Sequence, residues 1–283
     1  MQLAPRYDAT PIIQMDGPVD GIGTTLVRQR RRLAALLDGL DDAAWEAPTR
    51  CAGWRVRDVV SHLADADGFW TLSLQMGVAG EPTRFLDGFD PKATPAAMVE
   101  AAGGASHAEV ADRFRAASAG LAEVVDGLDE AGWAALAEAP PGHVPASVLA
   151  HHALWDGWVH ERDIALPLGL TPAEEDDEVL ASLRYAAALG PAFVVLATPG
   201  RRGALVIEAR GPDATVVVEV DGAASVRGGP APAGAPMLTG SAVTLLEALS
   251  IRVPFPARLD GDDAWLVSGI AGVFESTAEP ASP

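Results

Sequence analysis

Three polar residues that could bind a metal ion recur at steps of four within the segment 149–164: His152, Asp156 and His160. An α-helix turns by about 100° per residue, so each step drifts by only about 40° and leaves the three side chains on one side of a helix. An imidazole and a carboxylate at positions i and i+4 can bind one divalent metal ion. The segment alone leaves two other interpretations open, a His–Asp hydrogen bond without metal and a helix edge that faces water.

The remainder of this segment is apolar and contains Trp155, Trp158, Val159 and Ile164. Such a composition does not suit a solvated helix surface. Polar side chains inside a buried helix need a partner, and a metal ion is one way to supply it. We therefore expect a buried helix that carries a polar site.

A second segment, residues 49–67, places another histidine on a helix. Apolar residues recur at helical spacing from Val56 to Leu63, which predicts an amphipathic helix. His62 lies three residues after Val59 and can therefore point inward. A histidine in this position is either a hydrogen-bonded core residue or a metal ligand.

The N-terminal half of the chain has the pattern of a helical bundle. Besides the helix that begins at Val56, helical spacing predicts helices over 23–40, 95–127 and 144–166, with a break near residues 103–104. The loop 80–95 could form a lid or merely join two helices. Bundles of four helices often hold metal ions between facing helices, so His62 and the pair Asp156/His160 become candidates for one site.

The pattern changes after the acidic, proline-containing segment 171–177, which predicts a domain boundary. We predict strands and helices beyond it, with strands over 204–210, 215–220 and 223–227 and helices over 178–197, 239–250 and 262–274. The first two strands are separated by a hairpin signal, so the sheet is expected to be antiparallel.

The fold class that follows is α+β with two domains. The predicted boundaries are a four-helix bundle over residues 20–170 and a small α+β domain over residues 177–276. Residues 1–18 read as an irregular arm because they contain several prolines and glycines, and the C-terminal tail is expected to fray.

Composition excludes several classes of partner. The chain has 283 residues, a formal net charge of −19 and a pI near 4.5, which argues against nucleic acid and anionic membrane surfaces as partners. Cys51 is the only cysteine, so no intrachain disulfide is possible and a reducing compartment fits best. No apolar stretch of about 18 residues and no signal-like N-terminus occurs, so we expect a cytoplasmic protein.

Two motifs resemble those of the mycothiol-dependent maleylpyruvate isomerase family. One is Thr-x-Cys-x-Gly-Trp-x-Val-x-Asp-Val-Val-x-His-Leu at residues 49–63, and the other is Trp-Asp-x-Trp-Val-His-Glu-Arg-Asp-Ile at residues 155–164. The resemblance covers roughly residues 20–275. It implies a DinB-like metal-binding four-helix bundle followed by a domain similar to sterol-carrier proteins, for which residues 238–252 look like the matching segment.

Carried over position by position, the resemblance implies His62, Asp156 and His160 as the metal ligands. This sequence departs from the family at Asp156, because a glutamate often occupies that position. Aspartate is one methylene shorter, which leaves the affinity for the metal and its identity open. His152 is either a spare ligand or a partner that orients another ligand.

Three protein ligands leave an open coordination position, as in catalytic zinc sites. Zinc lowers the pKa of a bound thiol, and the resemblance implies that this thiol belongs to mycothiol or a similar small molecule. Arg252 matches the place where the family's second domain contributes an arginine, which could bind a carboxylate on the substrate or the thiol; the alternative is a surface arginine. Cys51 precedes a helix N-terminus, but no histidine is close in sequence, so we expect an inert thiol.

The function predicted from the sequence is therefore an isomerase or S-transferase that uses zinc, or another divalent metal, and a low-molecular-weight thiol on a small electrophilic substrate. The same His/Asp/His set also suits iron(II) and oxygen chemistry. A third possibility is a non-enzymatic protein that binds metal or a small molecule. We expect a monomer or a weak dimer.

Overall fold

The computed structural model describes residues 4–8, 10–17, 21–257, 259 and 261–274. The helices of this part of the chain are α1 (Ile22–Asp38), α2 (Asp42–Trp45), α3 (Val56–Val78), α4 (Ala93–Ala101), α5 (His107–Asp126), α6 (Glu130–Ala134), α7 (Ala146–Ala165), α8 (Asp176–Ala197), α9 (Ala242–Leu249) and α10 (Trp265–Phe274). Its strands are β1 (Ile13–Met15), β2 (Leu136–Ala139), β3 (Gly142–Pro145), β4 (Arg202–Arg210), β5 (Ala214–Asp221), β6 (Ala224–Arg227) and β7 (Met237–Ser241).

The predicted four-helix bundle is confirmed. Helices α1, α3, α5 and α7 pack against one another, with α3 between α5 and α7 and with α1 against both α5 and α7. The predicted break in the third helix is present, because α4 ends at Ala101 and α5 begins at His107. A capping box starts α5: Glu109 accepts the backbone N–H of Ser106 at 2.7 Å, and the Ser106 hydroxyl accepts that of Glu109 at 3.3 Å.

Helix α7 is the central helix of the protein and is buried on nearly every side. Its apolar residues pack into the main core, and the polar residues His152, His160, Glu161 and Asp163 are buried as well. The expectation of a buried helix is therefore confirmed. The alternative of a helix edge in water does not apply to this segment.

The second half of the chain contains a five-stranded sheet, and the α+β fold class is confirmed. Its strand order is β1-β6-β5-β4-β7. Strands β4, β5 and β6 form the predicted antiparallel meander, but β1 pairs with β6 and β7 pairs with β4 in parallel. The sheet is thus mixed, and the purely antiparallel prediction is wrong at both edges.

The parallel edge strands β1 and β7 were not predicted from the sequence. The arm 1–18 is not irregular throughout, because Ile13–Met15 form β1 and the side chain of Ile13 is fully buried. Residues 239–241, predicted to begin a helix, instead end β7, and Ser241 caps α9 by accepting the Thr244 N–H at 3.1 Å. The hairpin of β2 and β3 was not predicted either, and β3 occupies the first two positions of the helix predicted over 144–166.

One hydrophobic cluster reaches from the bundle to the sheet. It includes Leu26 on α1, Trp158 on α7, Leu183 on α8 and Val218 on β5. The division into domains at 170–177 stays a prediction, and the predicted outer boundaries at residues 20 and 276 and the tail beyond residue 274 lie outside the described residues. Helix α8 is long and apolar enough to cross a membrane, but 72% of its apolar window is buried, as in the core helix of a folded domain.

Candidate metal centre

The structure brings together the three residues that the family resemblance implies as ligands. His62 lies on α3 and Asp156 and His160 lie on α7, at the surface where these two helices face each other. One ligand atom from each residue lies within 4.8 Å of the others. Asp156 Oδ1 is 3.5 Å from His160 Nε2, and Asp156 Oδ2 is 3.9 Å from His62 Nε2.

These distances are close to those of a tetrahedral zinc site. Metal–ligand bonds of about 2.0–2.2 Å place neighbouring ligand atoms about 3.3–3.6 Å apart, so only small side-chain movements separate this arrangement from a ligand set. The side chains of His62, Asp156 and His160 keep 21%, 15% and 11% of their exposure. The group is therefore buried among protein atoms but still reachable from solvent on one side.

The electrostatics of the group also fit a cation. Burial lowers the pKa of His62 to about 4, so its imidazole is neutral, which is the form that binds metal. Burial opposes ionisation of Asp156, but the nearby imidazoles of His160 and His62 keep its pKa below the usual value. Asp156 Oδ2 is buried and has no hydrogen-bond partner among the described residues. A buried carboxylate oxygen without a donor has an unmet need for a cation or a proton.

The second nitrogen of His160 faces another set of groups. Its Nδ1 atom lies 3.1 Å from Asp163 Oδ2 and 3.6 Å from Cys51 Sγ. Burial alone would lower the pKa of His160, but its interactions with Cys51, Asp156 and Asp163 raise it to about 10. In the metal-free protein the ring therefore holds a proton, which it must release when a metal binds.

Asp163 is fully buried, and two arginines bind it. Arg50 Nε donates to Oδ1 at 2.9 Å, and Arg252 donates from Nε to Oδ1 at 2.9 Å and from Nη2 to Oδ2 at 2.8 Å. Asp163 and Glu161 both form salt bridges, Asp163 with these arginines and Glu161 with Arg32 at 2.8 Å. The carboxylate bound by Arg252 in this structure is thus the protein's own, and the role of Arg252 toward a substrate stays a prediction.

Arg252 follows a helix end with an unusual backbone conformation. Ile251 has φ of 56°, in the left-handed region that glycine usually occupies after a helix. Two hydrogen bonds close the helix, from Ile251 N–H to Ala248 O at 3.0 Å and from Arg252 N–H to Glu247 O at 2.8 Å. This Schellman-type ending turns the chain after α9 so that the guanidinium of Arg252 reaches Asp163 on α7.

Cys51, His160 and Asp163 form a second group with metal-ligand atoms within 4.8 Å of one another. This group is a poor cation site, because the guanidinium groups of Arg50 and Arg252 already neutralise Asp163 and Arg252 Nη2 lies 3.8 Å from Cys51 Sγ. A divalent ion there would face two positive charges at close range. The better cation site is therefore on the Nε2 side of His160.

His152 is separate from both groups. Its Nδ1 atom lies 2.7 Å from the hydroxyl of Tyr185, and its ring packs against Trp70, Trp155 and Tyr185. Burial lowers the pKa of His152 to about 4, so the ring is neutral. The helical spacing placed His152 correctly on the helix. Its hydrogen bond with the Tyr185 hydroxyl gives the imidazole a polar partner without a metal.

A cavity of about 590 Å³ lies beside Arg252. Its walls come from the end of α9, the segment that follows it and α10, and they are mostly apolar. Among the lining residues are Ala248, Ile251, Arg252, Phe255, Leu259 and Val267. A cavity of this size can hold a small organic molecule.

Residues 26–165 match the family model of the mycothiol maleylpyruvate isomerase N-terminal domain. This part of the chain belongs to that family. The match contains His62, Asp156 and His160, and it confirms the family that the two sequence motifs indicated.

Solved structures of a mycothiol-dependent maleylpyruvate isomerase share the fold. One is 17% identical, has a TM-score of 0.60 and covers 86% of this chain and 98% of that chain. A histidine-to-alanine mutant of the isomerase gives 16% identity, the same TM-score of 0.60 and the same coverage. The likeness extends over most of this chain, beyond the part that matches the family model. No curated protein is similar enough in sequence to be compared.

The sequence did not reveal the contacts of Arg50 and Cys51 at this site. Arg50 was not singled out at all, and Cys51 was expected to be an inert thiol because no histidine is close in sequence, whereas His160 Nδ1 is 3.6 Å away in the structure. The only available signal was the motif at residues 49–63, which contains both. Their partners lie more than 100 positions away, so the spacing along the chain does not reveal the contacts.

Proposed function

We propose that this protein is a metal-dependent enzyme that uses a low-molecular-weight thiol, such as mycothiol, to isomerise or conjugate a small electrophilic substrate. The observation that carries the proposal is the group His62, Asp156 and His160, in which a buried carboxylate oxygen without a donor among the described residues faces two imidazoles. The family of the N-terminal domain supports the choice of mycothiol.

In this proposal His62, Asp156 and His160 hold the metal, and zinc is the ion that their donor atoms and spacing suit best. A bound zinc ion supplies Lewis acidity, which lowers the pKa of a coordinated thiol so that it ionises near neutral pH. These three side chains would hold the ion, and because they retain some exposure they would leave room for a thiol from solvent.

The other residues bind and orient. The apolar cavity beside Arg252 has the size and lining to accept the carbon skeleton of a small substrate. Arg252 contributes positive charge at its edge, which would favour a substrate that bears a carboxylate. In the structure this guanidinium is paired with Asp163, so a substrate carboxylate would share it rather than find it free.

A second candidate function has support from the donor set itself. Two histidines and one carboxylate also form the facial triad of non-haem iron(II) oxygenases. Retention of iron(II) together with oxygen consumption would favour that chemistry over thiol chemistry. Binding of metal or of a small molecule without turnover of either kind would favour the third, non-enzymatic possibility. We further propose that the protein acts in the cytoplasm.

Metal analysis of the purified protein tests the proposal directly. The wild type is compared with His160→Ala and with His151→Gln, a matched control on the same helix whose Nδ1 lies 2.7 Å from Ser147 O, away from the candidate ligands. We expect about one metal ion per chain in the wild type and the control and little in His160→Ala. A wild type that neither contains zinc nor takes it up would overturn the metal site.

If the metal is present, thiols are screened with electrophilic substrates. The expected result is consumption or isomerisation of an electrophile such as maleylpyruvate only when both metal and mycothiol are present. Oxygen uptake that does not need a thiol would instead establish the iron(II) alternative. The variant His160→Ala serves as the inactive reference in both assays.

A further inference from the structure

We infer that Asp163 is a positioning residue: it fixes the orientation of His160 at the candidate metal site and ties this ligand to the segment after α9. The inference rests on the proposed function, because it assigns a role relative to that site. It concerns a residue that does not belong to the ligand group and that contacts the ring on its opposite side.

The imidazole of His160 has a carboxylate near each of its two nitrogens. Nδ1 of His160 lies 3.1 Å from Asp163 Oδ2, while Nε2 lies 3.5 Å from Asp156 Oδ1. A carboxylate at Nδ1 holds the proton on that nitrogen and leaves the lone pair of Nε2 free for a metal. It also prevents rotation of the ring about its side-chain bond. Both effects matter, because a metal ligand needs the correct tautomer and the correct direction.

Asp163 is itself held rigidly by its neighbours. Its side chain is fully buried, and Arg50 and Arg252 donate three hydrogen bonds to it at 2.9 Å or less. Asp163 therefore cannot turn away from the ring without breaking these hydrogen bonds to two guanidinium groups.

The two arginines that bind Asp163 come from distant parts of the chain. Arg50 precedes α3, and its backbone N–H also donates to the Asp163 carbonyl at 3.2 Å. Arg252 comes from the other half of the chain and is aimed by the positive φ of Ile251. A β-branched residue rarely adopts this conformation, so the surrounding contacts must hold it there. The bundle ligand His160 thus depends on Arg252, which lies 89 positions beyond Asp163 along the chain.

Glu247 provides a matched control within the same cluster. It is buried, it accepts from Arg50 Nη1 at 3.1 Å and from Arg162 Nε at 2.7 Å, and no contact joins it to His160 among the described residues. Replacing Glu247 perturbs Arg50, one of the two arginines that bind Asp163, at a position that is also buried. It leaves the contact between Asp163 and His160 in place.

The experiment measures the dissociation constant for zinc by competition with a chelating dye in the full-length wild type, Asp163→Asn and Glu247→Gln. An asparagine cannot accept from His160 and from both arginines with the same oxygens, so we expect zinc binding to weaken by about 10- to 100-fold. Glu247→Gln should retain the affinity of the wild type, although thermal unfolding should show that both variants lose stability.

Asp163→Glu covers the case in which Asp163→Asn does not fold. Glutamate keeps the charge that the arginines need but moves the oxygens by one methylene, so zinc affinity should again fall while the protein stays folded. Equal losses of affinity in the Asp163 and Glu247 variants, or none in either Asp163 variant, would overturn the inference. A wild type that binds no zinc would overturn the proposed function instead, which keeps the two failures distinct.

Discussion

The guanidinium of Arg30 lies directly against the backbone of Gly157, the residue that follows the candidate ligand Asp156. A Cβ atom at position 157 would lie 1.7 Å from Arg30 Nη1 and 2.7 Å from Gln29 Oε1. Arg30 is buried and pairs with Asp67 at 2.9 Å, and its Nη2 also donates to Ala153 O at 2.9 Å. The glycine in the middle of α7 is therefore required by the close approach of a buried arginine from α1.

Substitution of Gly157 by alanine should destabilise the protein. The added methyl group displaces Arg30 from a buried ion pair, so we expect a loss of about 2–4 kcal/mol in the free energy of unfolding. Gly68→Ala is the control, because Gly68 lies inside helix α3 and a methyl group added there would meet no atom of another part of the chain within 4 Å. That change should stabilise by about 0.5–1 kcal/mol. Urea denaturation of both variants tests the pair, and a neutral Gly157→Ala would contradict the packing described here.

Much of the fold could be predicted from the sequence because its helices are long. Helix α7 has twenty residues, and its regular spacing placed Asp156 and His160 on one side without further information. The strands β4 and β5 were also found, since they are eight or nine residues long and separated by a turn signal. Strand β1 has only three residues, too few for a periodic pattern, and its pairing with β6 joins residues that are distant in the chain.

The candidate site was predictable only in part for a related reason. Spacing can reveal contacts within one helix, and the family motifs added His62 from another. The partners of His160 on its Nδ1 side could not be found in this way. The contact of Asp163 with Arg252 spans 89 positions, and its contact with Arg50 spans 113. Both contacts therefore depend on how distant parts of the chain pack together.

The loop between α3 and α4 should open when Glu138 is changed to glutamine. Glu138 is fully buried and accepts four hydrogen bonds, from the hydroxyls of Tyr7 and Thr83 at 2.7 Å and from the backbone N–H groups of Phe85 and Leu86 at 2.9 and 2.8 Å. The loop that the sequence suggested as a lid is therefore anchored at its start. A glutamine presents N–H groups to some of these donors, which should cost about 1–3 kcal/mol.

Limited digestion with trypsin measures this opening, because Arg84 lies within the anchored stretch. We expect faster cleavage after Arg84 in Glu138→Gln than in the wild type. Glu130→Gln, at an exposed position of α6, should digest at the rate of the wild type. Unchanged cleavage in Glu138→Gln would mean that contacts other than this carboxylate hold the loop.

The contribution of His107 to stability should depend on pH. Its Nε2 lies 2.7 Å from Glu46 Oε1, its Nδ1 lies 3.1 Å from Asp42 Oδ1, and its ring stacks on Trp45. The hydrogen bonds to Glu46 and Asp42 raise the pKa of His107 in the folded protein, although Arg57 also contacts Glu46 at 3.2 Å. The stabilisation is therefore complete below the unfolded pKa of about 6.5 and is lost as the pH rises through the folded pKa.

The free energies of unfolding of the wild type and His107→Gln, measured as a function of pH, test whether this stabilisation is lost as the pH rises. The difference in the free energy of unfolding should be largest at about pH 6 and should shrink toward about pH 9. An NMR titration of the His107 ring should show a midpoint above the ordinary value of about 6.5. A difference that does not change with pH would show that stacking on Trp45, rather than the charge, accounts for the contribution of His107.

Zinc should stabilise the folded protein in proportion to its binding. A ligand that binds only the folded state at one hundred times its dissociation constant adds about 2.7 kcal/mol to the free energy of unfolding. We expect this rise in the wild type and in His151→Gln, whose side chain bonds to Ser147 within the same helix. Asp156→Asn should show little of it, because the buried Oδ2 atom is an acceptor that lacks a partner among the described residues. Thermal unfolding with and without zinc measures the effect, and equal stabilisation of Asp156→Asn would place the binding site elsewhere.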